Sequence, residues 1–154
     1  MKIADILSGD LIIPELTSKN KKEVLEELVS VIVKQNKLIN KEELIEVLLE
    51  REQLGSTGIG DGIAIPHGKL KDIGALLASF GKSIDGVDFD SMDGKPTHLF
   101  FLLVAPENSA GIHLKALARI SRLLKDSSFK QDLMEAKLKD DLFKTIIERD
   151  ENSQ

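Results

Sequence analysis

The segment from Thr97 to Val104 constrains the fold most, because it is almost wholly apolar and contains no glycine, proline, carboxylate, lysine or arginine. A continuous apolar run of this length is typical of a strand that is buried on both faces of a sheet. Residues 75–80 predict a second strand, and Ile63-Ala64-Ile65 predicts a short third one. Turns are predicted at Asp85-Gly86, Asp93-Gly94 and Lys95-Pro96.

Amphipathic helices are predicted on either side of these strands along the chain. The first is expected from an N-cap at Ser18 to Lys34, and the second from an N-cap at Asn40 to a stop at Gly55. Three more are expected at 112–125, 129–136 and 142–149. This order predicts an α/β fold in which a mixed β-sheet is flanked by helices on both sides.

Length and composition predict one domain over residues 1–150 of the 154, followed by a frayed tail at 151–154, with fraying from Arg149 at the earliest. A net charge of −5 and a pI near 5.3 argue against generic nucleic-acid binding. There is no cysteine, which excludes disulfides and cysteine-based zinc sites. No apolar run approaches the ~20 residues of a membrane-spanning helix, and no signal peptide is evident. We therefore expect a cytoplasmic protein with no direct membrane insertion.

A glycine-rich run from Gly55 to Lys69 contains the most informative histidine, His67. Pro66 precedes it and favours an extended conformation at Ile65. The run predicts an imidazole on a loop at a strand end, open to a partner. Such an imidazole can act as a nucleophile or general base near neutral pH, or it can simply cap a turn.

Arg51 and His113 each lie on the apolar stripe of a predicted helix. An arginine on the buried side needs an anionic partner, but it can also reach out from the helix end or pair with Glu50 or Asp61. His113 falls in a first helical turn, which favours anions, although a satisfied core histidine would look the same. His98 fits a strand-end residue.

Together, His67, Arg51 and His113 describe a site that could receive a phosphoryl group. A neutral imidazole nitrogen of His67 would be the nucleophile, and Arg51 and His113 would stabilise the phosphoryl oxygens. Ser56 and Thr57 could add hydroxyl donors. No metal is demanded by this chemistry.

Other motifs fit the same stretch poorly. The spacing from Gly62 to Gly68 is one residue too long for a phosphate-binding loop, and Ile63 stands where a dinucleotide fingerprint needs its third glycine. A three-histidine zinc site remains possible in principle, but no histidine pair lies one helical turn apart.

The motifs Arg51-Glu52, 55–60, 63–69 and Gly111-Ile112-His113-Leu114 resemble the type-2 EIIA domains of the bacterial phosphoenolpyruvate phosphotransferase system, the fructose/mannitol class. The uninterrupted run at 55–69 is most similar to the nitrogen-regulatory branch. The resemblance implies the α/β fold of that family and no cofactor. It also implies that Nε2 of His67 accepts a phosphoryl group from HPr or an HPr-like carrier, with Arg51 and His113 beside it.

Two outputs are compatible with this resemblance. Phosphorylation could switch a regulatory module, for which the resemblance points to regulators of potassium transport and nitrogen metabolism as targets. Alternatively, a sugar-specific EIIA would pass the group to a cysteine of an EIIB for fructose- or mannitol-type uptake.

For carrier docking we expect a shallow apolar surface edged by Ile59, Ile63 and Leu70.

Overall fold

In the computed structural model, the segment predicted as a buried strand forms the central strand of an open mixed sheet. The structure describes residues 1–153 apart from the side chain of Ala110. The strands are β1 (Ile12–Ile13), β2 (Gly58–Gly60), β3 (Ile63–Ala64), β4 (His67–Leu70), β5 (Leu77–Val87) and β6 (Thr97–Pro106). The helices are α1 (Lys21–Gln35), α2 (Lys41–Gln53), α3 (Ala110–Leu124), α4 (Ser127–Glu135) and α5 (Lys139–Asn152). The order across the sheet is β1-β5-β6-β3-β2, with β4 also paired to β6.

Strand directions make the sheet mixed, as predicted. β6 runs antiparallel to β5 and parallel to both β3 and β4. β6 is almost entirely buried, with all residues from Leu99 to Ala105 enclosed. Its apolar sequence is therefore explained by cover on both faces.

Alternate residues of β5 show that helices cover both faces. The Ser79 hydroxyl donates to the Leu28 carbonyl of α1 at 2.9 Å. The Lys82 ammonium donates to the Leu133 carbonyl of α4 at 3.2 Å. Because neighbouring odd and even strand positions point to opposite faces, α1 and α4 lie on opposite sides of the sheet. The predicted architecture is confirmed.

The predicted turn at Asp85-Gly86 is wrong, because both residues belong to β5. The pairing of β5 with β6 shifts register between Lys82 and Val87, and Gly86 adopts a φ of +88° there. A glycine at positive φ inside an irregular stretch of strand uses the same residue types as a turn. β5 pairs with β6 on both sides of this irregular stretch, at Lys82 and at Val87, so the strand continues through it.

Helix starts also differ from prediction. The N-cap of α1 is Asn20, whose side chain accepts from the Glu23 amide, whereas the predicted Ser18 donates its hydroxyl to Glu27. Asn40 caps α2 as predicted. Each of the three later helices begins before its expected first residue.

The fraying expected from Arg149 is wrong for residues 149–152, which belong to α5. Asp150 is only 1% exposed. It accepts from the Ile3 amide at 2.8 Å and from Nε of Arg119 at 2.6 Å. This carboxylate ties the end of the chain to its beginning and to α3; Gln154 lies outside the described residues.

Within residues 1–153, no helix combines the length and apolar character needed to cross a bilayer.

Candidate phosphoryl-acceptor site

His67 is the first residue of a strand rather than part of a loop, which corrects the prediction. β3 and β4 lie along the same edge of β6, and Ile65 and Pro66 separate them. Proline has no amide hydrogen to donate, so the ladder is interrupted there, but the Pro66 carbonyl accepts from the Leu103 amide at 2.9 Å. His67 is then in register with Leu103. Main-chain pairing therefore fixes the backbone that carries the imidazole.

A backbone carbonyl sets the tautomer of the His67 ring. Nδ1 lies 2.8 Å from the Ile65 carbonyl oxygen, which can only accept, so Nδ1 carries the proton. Nε2 is left with its lone pair, and the one hydrogen bond of the ring within residues 1–153 is that of Nδ1. Burial lowers the pKa of His67, and the Arg51 charge lowers it further, while the Ile65 bond and the Glu52 charge oppose them. The half-buried ring is therefore poised as a neutral nucleophile.

His113 brings a second imidazole to the same place from the first turn of α3. The ring centroids of His67 and His113 are 5.5 Å apart, with the planes tilted by 51°. His113 is 7% exposed, and its enclosed Nδ1 has no partner among the described residues. Burial lowers its pKa, as do the charges of His67 and Lys69. An unpartnered buried nitrogen is costly, so this ring is not the satisfied core histidine of the alternative.

Arg51 lies in the last turn of α2, and its charge acts on His67. Its Nη1 donates to the Gly55 carbonyl at 2.8 Å. Among the described residues, Arg51 forms no ion pair, neither with Glu50 nor with Asp61 nor with any other carboxylate. Guanidinium has five N–H donors, so most of its capacity is free for an anion.

The hydroxyls of Ser56 and Thr57 are engaged within the protein, contrary to the expectation that they are free donors. Ser56 donates to the Phe89 carbonyl at 2.8 Å and accepts from the Gly58 amide at 3.0 Å. Thr57 is 3% exposed and donates to a carboxylate oxygen of Glu52. Both side chains shape the glycine-rich segment instead of pointing their protons into the site.

Glu52 is a buried carboxylate to which the sequence analysis gave no role. It is 7% exposed, forms an ion pair with Lys21 at 3.2 Å and accepts from the Thr57 amide at 3.1 Å. One signal could have revealed it: Glu52 continues the four-residue spacing of Leu44 and Leu48, the buried residues of α2.

The third histidine stands apart from the other two. His98 hydrogen-bonds through Nδ1 to the Ser83 carbonyl at 2.9 Å. It lies five positions along β6 from Leu103, the partner of His67, which corresponds to about 16 Å at the rise of a strand. The three-histidine zinc alternative is therefore not assembled. Among the described residues, no group of three possible metal-ligand side chains is found.

The expected apolar docking edge is only partly at the surface. Ile59 is 41% exposed, but Ile63 and Leu70 are 2% and 5% exposed. Both belong to the sheet strands that pair with β6, so their side chains pack into the core. The expectation is wrong for these two residues.

Known proteins resemble this chain in sequence and in structure. The family model described as "Phosphoenolpyruvate-dependent sugar phosphotransferase system, EIIA 2" matches residues 5–149. The chain belongs to this EIIA type-2 family. The family predicted from the motifs is therefore confirmed, and similar proteins are named as nitrogen regulatory proteins and as fructose-specific components.

Relatives of both kinds are similar over most of the chain. The nitrogen regulatory protein of Bradyrhizobium diazoefficiens is 44% identical over 135 residues, 86% of each chain. The fructose-specific EIIABC component of Bacillus subtilis is 41% identical over 150 residues, 97% of this chain, which spans only 24% of that relative's length. The crystal structure of the nitrogen regulatory protein IIA-Ntr from Neisseria meningitidis matches with a TM-score of 0.87 at 31% identity, covering 94% of this chain and 98% of that one.

Proposed function

We propose that this EIIA type-2 chain is a phosphocarrier whose His67 accepts a phosphoryl group at Nε2 from a phosphohistidine of HPr or an HPr-like carrier. The hydrogen bond from Nδ1 of His67 to the Ile65 carbonyl, at 2.8 Å, is the observation that supports it most. It keeps the proton on the inner nitrogen and presents the other lone pair as a nucleophile. Membership of a phosphotransferase-system family supplies the class of donor.

The transfer exchanges one phosphorus–nitrogen bond for another. The Nε2 lone pair forms the new bond to phosphorus while the bond in the donor breaks, and its electron pair returns to the donor imidazole. Since the same bond type is made and broken, the step is close to balanced in free energy. The protein needs to supply only in-line positioning and compensation of the phosphoryl charge.

Arg51 and His113 would supply that compensation. The guanidinium of Arg51 can bind two phosphoryl oxygens with the donors that Gly55 leaves free. His113, kept neutral by burial and 5.5 Å from the acceptor ring, can donate one N–H to a phosphoryl oxygen. No metal or cofactor takes part in this scheme.

We propose a regulatory output for the phosphorylated state. The similarity to nitrogen regulatory proteins in both sequence and structure supports it. A phosphoryl group adds about two negative charges, enough to create or abolish a protein interface. The alternative, transfer to an EIIB in sugar uptake, is favoured by the similarity to a fructose-specific component.

The site assignment is tested by incubating the protein with phosphoenolpyruvate, enzyme I and HPr and measuring its mass. We expect the gain of one phosphoryl group, with a phosphorus NMR signal of Nε2-phosphohistidine. His67→Ala should abolish the gain, whereas the matched control His98→Gln should retain it. Label that persists in His67→Ala would refute the assignment.

The two outputs are separated by offering the phosphorylated protein to a fructose-type EIIB. Retention of the label, together with a protein partner captured by only one phosphorylation state, would support the regulatory output. Rapid movement of the label to the EIIB cysteine would support sugar uptake instead.

A further inference from the structure

The Glu52 carboxylate lies where a negative charge is energetically unfavourable, so neighbouring groups must stabilise it. It is a carboxylate in the last turn of α2, where the helix dipole disfavours negative charge, and its side chain is 3% exposed. Burying such a group is unfavourable unless donors surround it. Three donors do so: the Lys21 ammonium, the Thr57 amide and the Thr57 hydroxyl.

Those contacts lead by hydrogen bonds to the acceptor imidazole. Glu52 holds Thr57 through both its amide and its hydroxyl. The Thr57 carbonyl accepts from the Ile65 amide at 3.1 Å. The Ile65 carbonyl in turn accepts from Nδ1 of His67 at 2.8 Å. The carboxylate thus orders the segment that presents the carbonyl on which the His67 tautomer depends.

Lys21 explains how the carboxylate keeps its charge out of water. Its ammonium lies 3.2 Å from Glu52, 3.3 Å from Asp90 and 4.9 Å from the centre of the Phe89 ring. An ionised acceptor makes stronger hydrogen bonds than a neutral one. Oε1 of Glu52 accepts from both the Lys21 ammonium and the Thr57 amide, which leaves Oε2 to the Thr57 hydroxyl.

We propose that Glu52 is a positioning residue for phosphoryl transfer: acting through Thr57 and Ile65, it fixes the orientation and tautomer of His67 without touching the phosphoryl group. This inference rests on the proposed acceptor role of His67. What it adds to that role is that the His67 ring loses its defined tautomer when the Glu52 carboxylate no longer holds Thr57.

The test compares Glu52→Gln with Glu50→Gln, which makes the same charge change on the exposed face of the same helix. Nitrogen chemical shifts of the His67 ring report the tautomer in the unphosphorylated protein. We expect Glu52→Gln to raise the share of the Nε2–H tautomer. The transfer rate at saturating carrier should fall by about 10- to 100-fold, by analogy with groups that orient metal-ligating histidines from behind. The carrier concentration for half-saturation should stay unchanged, and Glu50→Gln should match the wild type in every respect.

A second pair of variants guards against simple unfolding. Thr57→Val removes the hydroxyl donor with little change in volume and should shift the tautomer in the same direction, whereas Thr57→Ser keeps the donor and should recover most of the wild-type tautomer and rate. If Glu52→Gln and Thr57→Val lower thermal stability but leave the His67 tautomer as in Glu50→Gln, the positioning role is refuted. The tautomer measurement decides this even if the wild type takes up no phosphoryl group, a result that would refute the acceptor role separately.

Discussion

The imidazoles of His67 and His113 face each other at 5.5 Å between ring centroids, although one begins a strand and the other lies in the first turn of a helix. Burial lowers the pKa of both rings, and the charge of His67 lowers that of His113 further. Protonation of either ring therefore disfavours protonation of its neighbour. In the proposed transfer, two neutral imidazoles would supply one nucleophile and one neutral donor.

The pH dependence of transfer follows from the lowered pKa of His67. We expect the rate of phosphoryl acceptance to hold below pH 6.5, the ordinary histidine value, and to fall only as the pH passes the lower pKa of the folded protein. Single-turnover rates and an NMR titration of His67 between about pH 5 and about pH 8 would measure it. A titration midpoint of His67 at or above pH 6.5 would contradict the lowered pKa of this ring.

The free energy of unfolding should also decrease as the pH falls. Below pH 6.5 the unfolded chain binds more protons at His67 and His113 than the folded chain does. The contribution of these rings is therefore complete above that pH and is lost as the pH falls through the folded-state pKa. Denaturant unfolding at several pH values would show the decline, and replacing both histidines with glutamine should reduce it.

Replacing His113 with leucine should separate function from stability. The side chain is buried with an unpartnered nitrogen, so His113→Leu removes an unsatisfied polar atom and should leave the free energy of unfolding unchanged or raise it by up to about 1 kcal/mol. Phosphoryl transfer should fall about 100-fold with the loss of the donor. Urea unfolding and transfer rates measure the two effects, and a stable variant with full activity would show that His113 has no part in the reaction.

Arg51 should matter more for transfer than for folding. Arg51→Ala removes one hydrogen bond to the Gly55 carbonyl, which is about 1 kcal/mol of stability, but should slow transfer about 100-fold. Arg51→Lys should recover only part of the rate because an ammonium lacks the planar fork. Arg122→Ala, on the exposed side of α3, is the matched control. Equal effects of Arg51→Ala and Arg122→Ala on transfer would argue against charge compensation by Arg51.

Gly68 sets how closely α2 approaches β4, the strand that carries His67. A Cβ at this position would lie 2.8 Å from Cγ1 of Val47, so Gly68→Ala should push α2 away and cost about 2 kcal/mol. Transfer should fall as well, since α2 carries Arg51. Gly74→Ala meets no atom within 4 Å and should change neither quantity. Chemical denaturation together with transfer rates gives the comparison.

Asp150 should prove structural although only four residues follow it in the chain. Asp150→Ala leaves Arg119 without its carboxylate and the Ile3 amide without an acceptor, for a loss of about 3 kcal/mol. Glu151→Ala removes only an exposed contact with Lys2 and should cost less than about 0.5 kcal/mol. Similar thermal stability of the two variants would show that the end of α5 adds nothing.

The parts that the sequence predicted correctly depend on local patterns. The apolar run at 97–104 identified the central strand, and the side-chain oxygen of Asn40 identified a helix start. His67, Arg51 and His113 stood out because each is a polar residue where its surroundings predict apolar or backbone-restricted ones. The structure brings the two histidines together and places the charge of Arg51 within effect of His67.

The parts that were missed depend on pairing between distant segments. β4 is short and polar, and it is a strand only because it pairs with β6. β6 also pairs with β5 on both sides of Asp85-Gly86, so β5 continues through two residues that prefer a turn. Glu52 was overlooked because Arg51, the adjacent position on the helix, already explained the polar interruption of the stripe.

The parallel pairing of β4 with β6 bears on how partners would distinguish the proposed phosphorylated state from the unphosphorylated one. His67 is carried by main chain that is hydrogen-bonded into the most enclosed layer of the molecule. A group attached to its ring adds charge at the surface without requiring that backbone to move. We therefore expect partners to discriminate by electrostatic potential and not by a change of shape, so that the salt concentration should tune their selectivity.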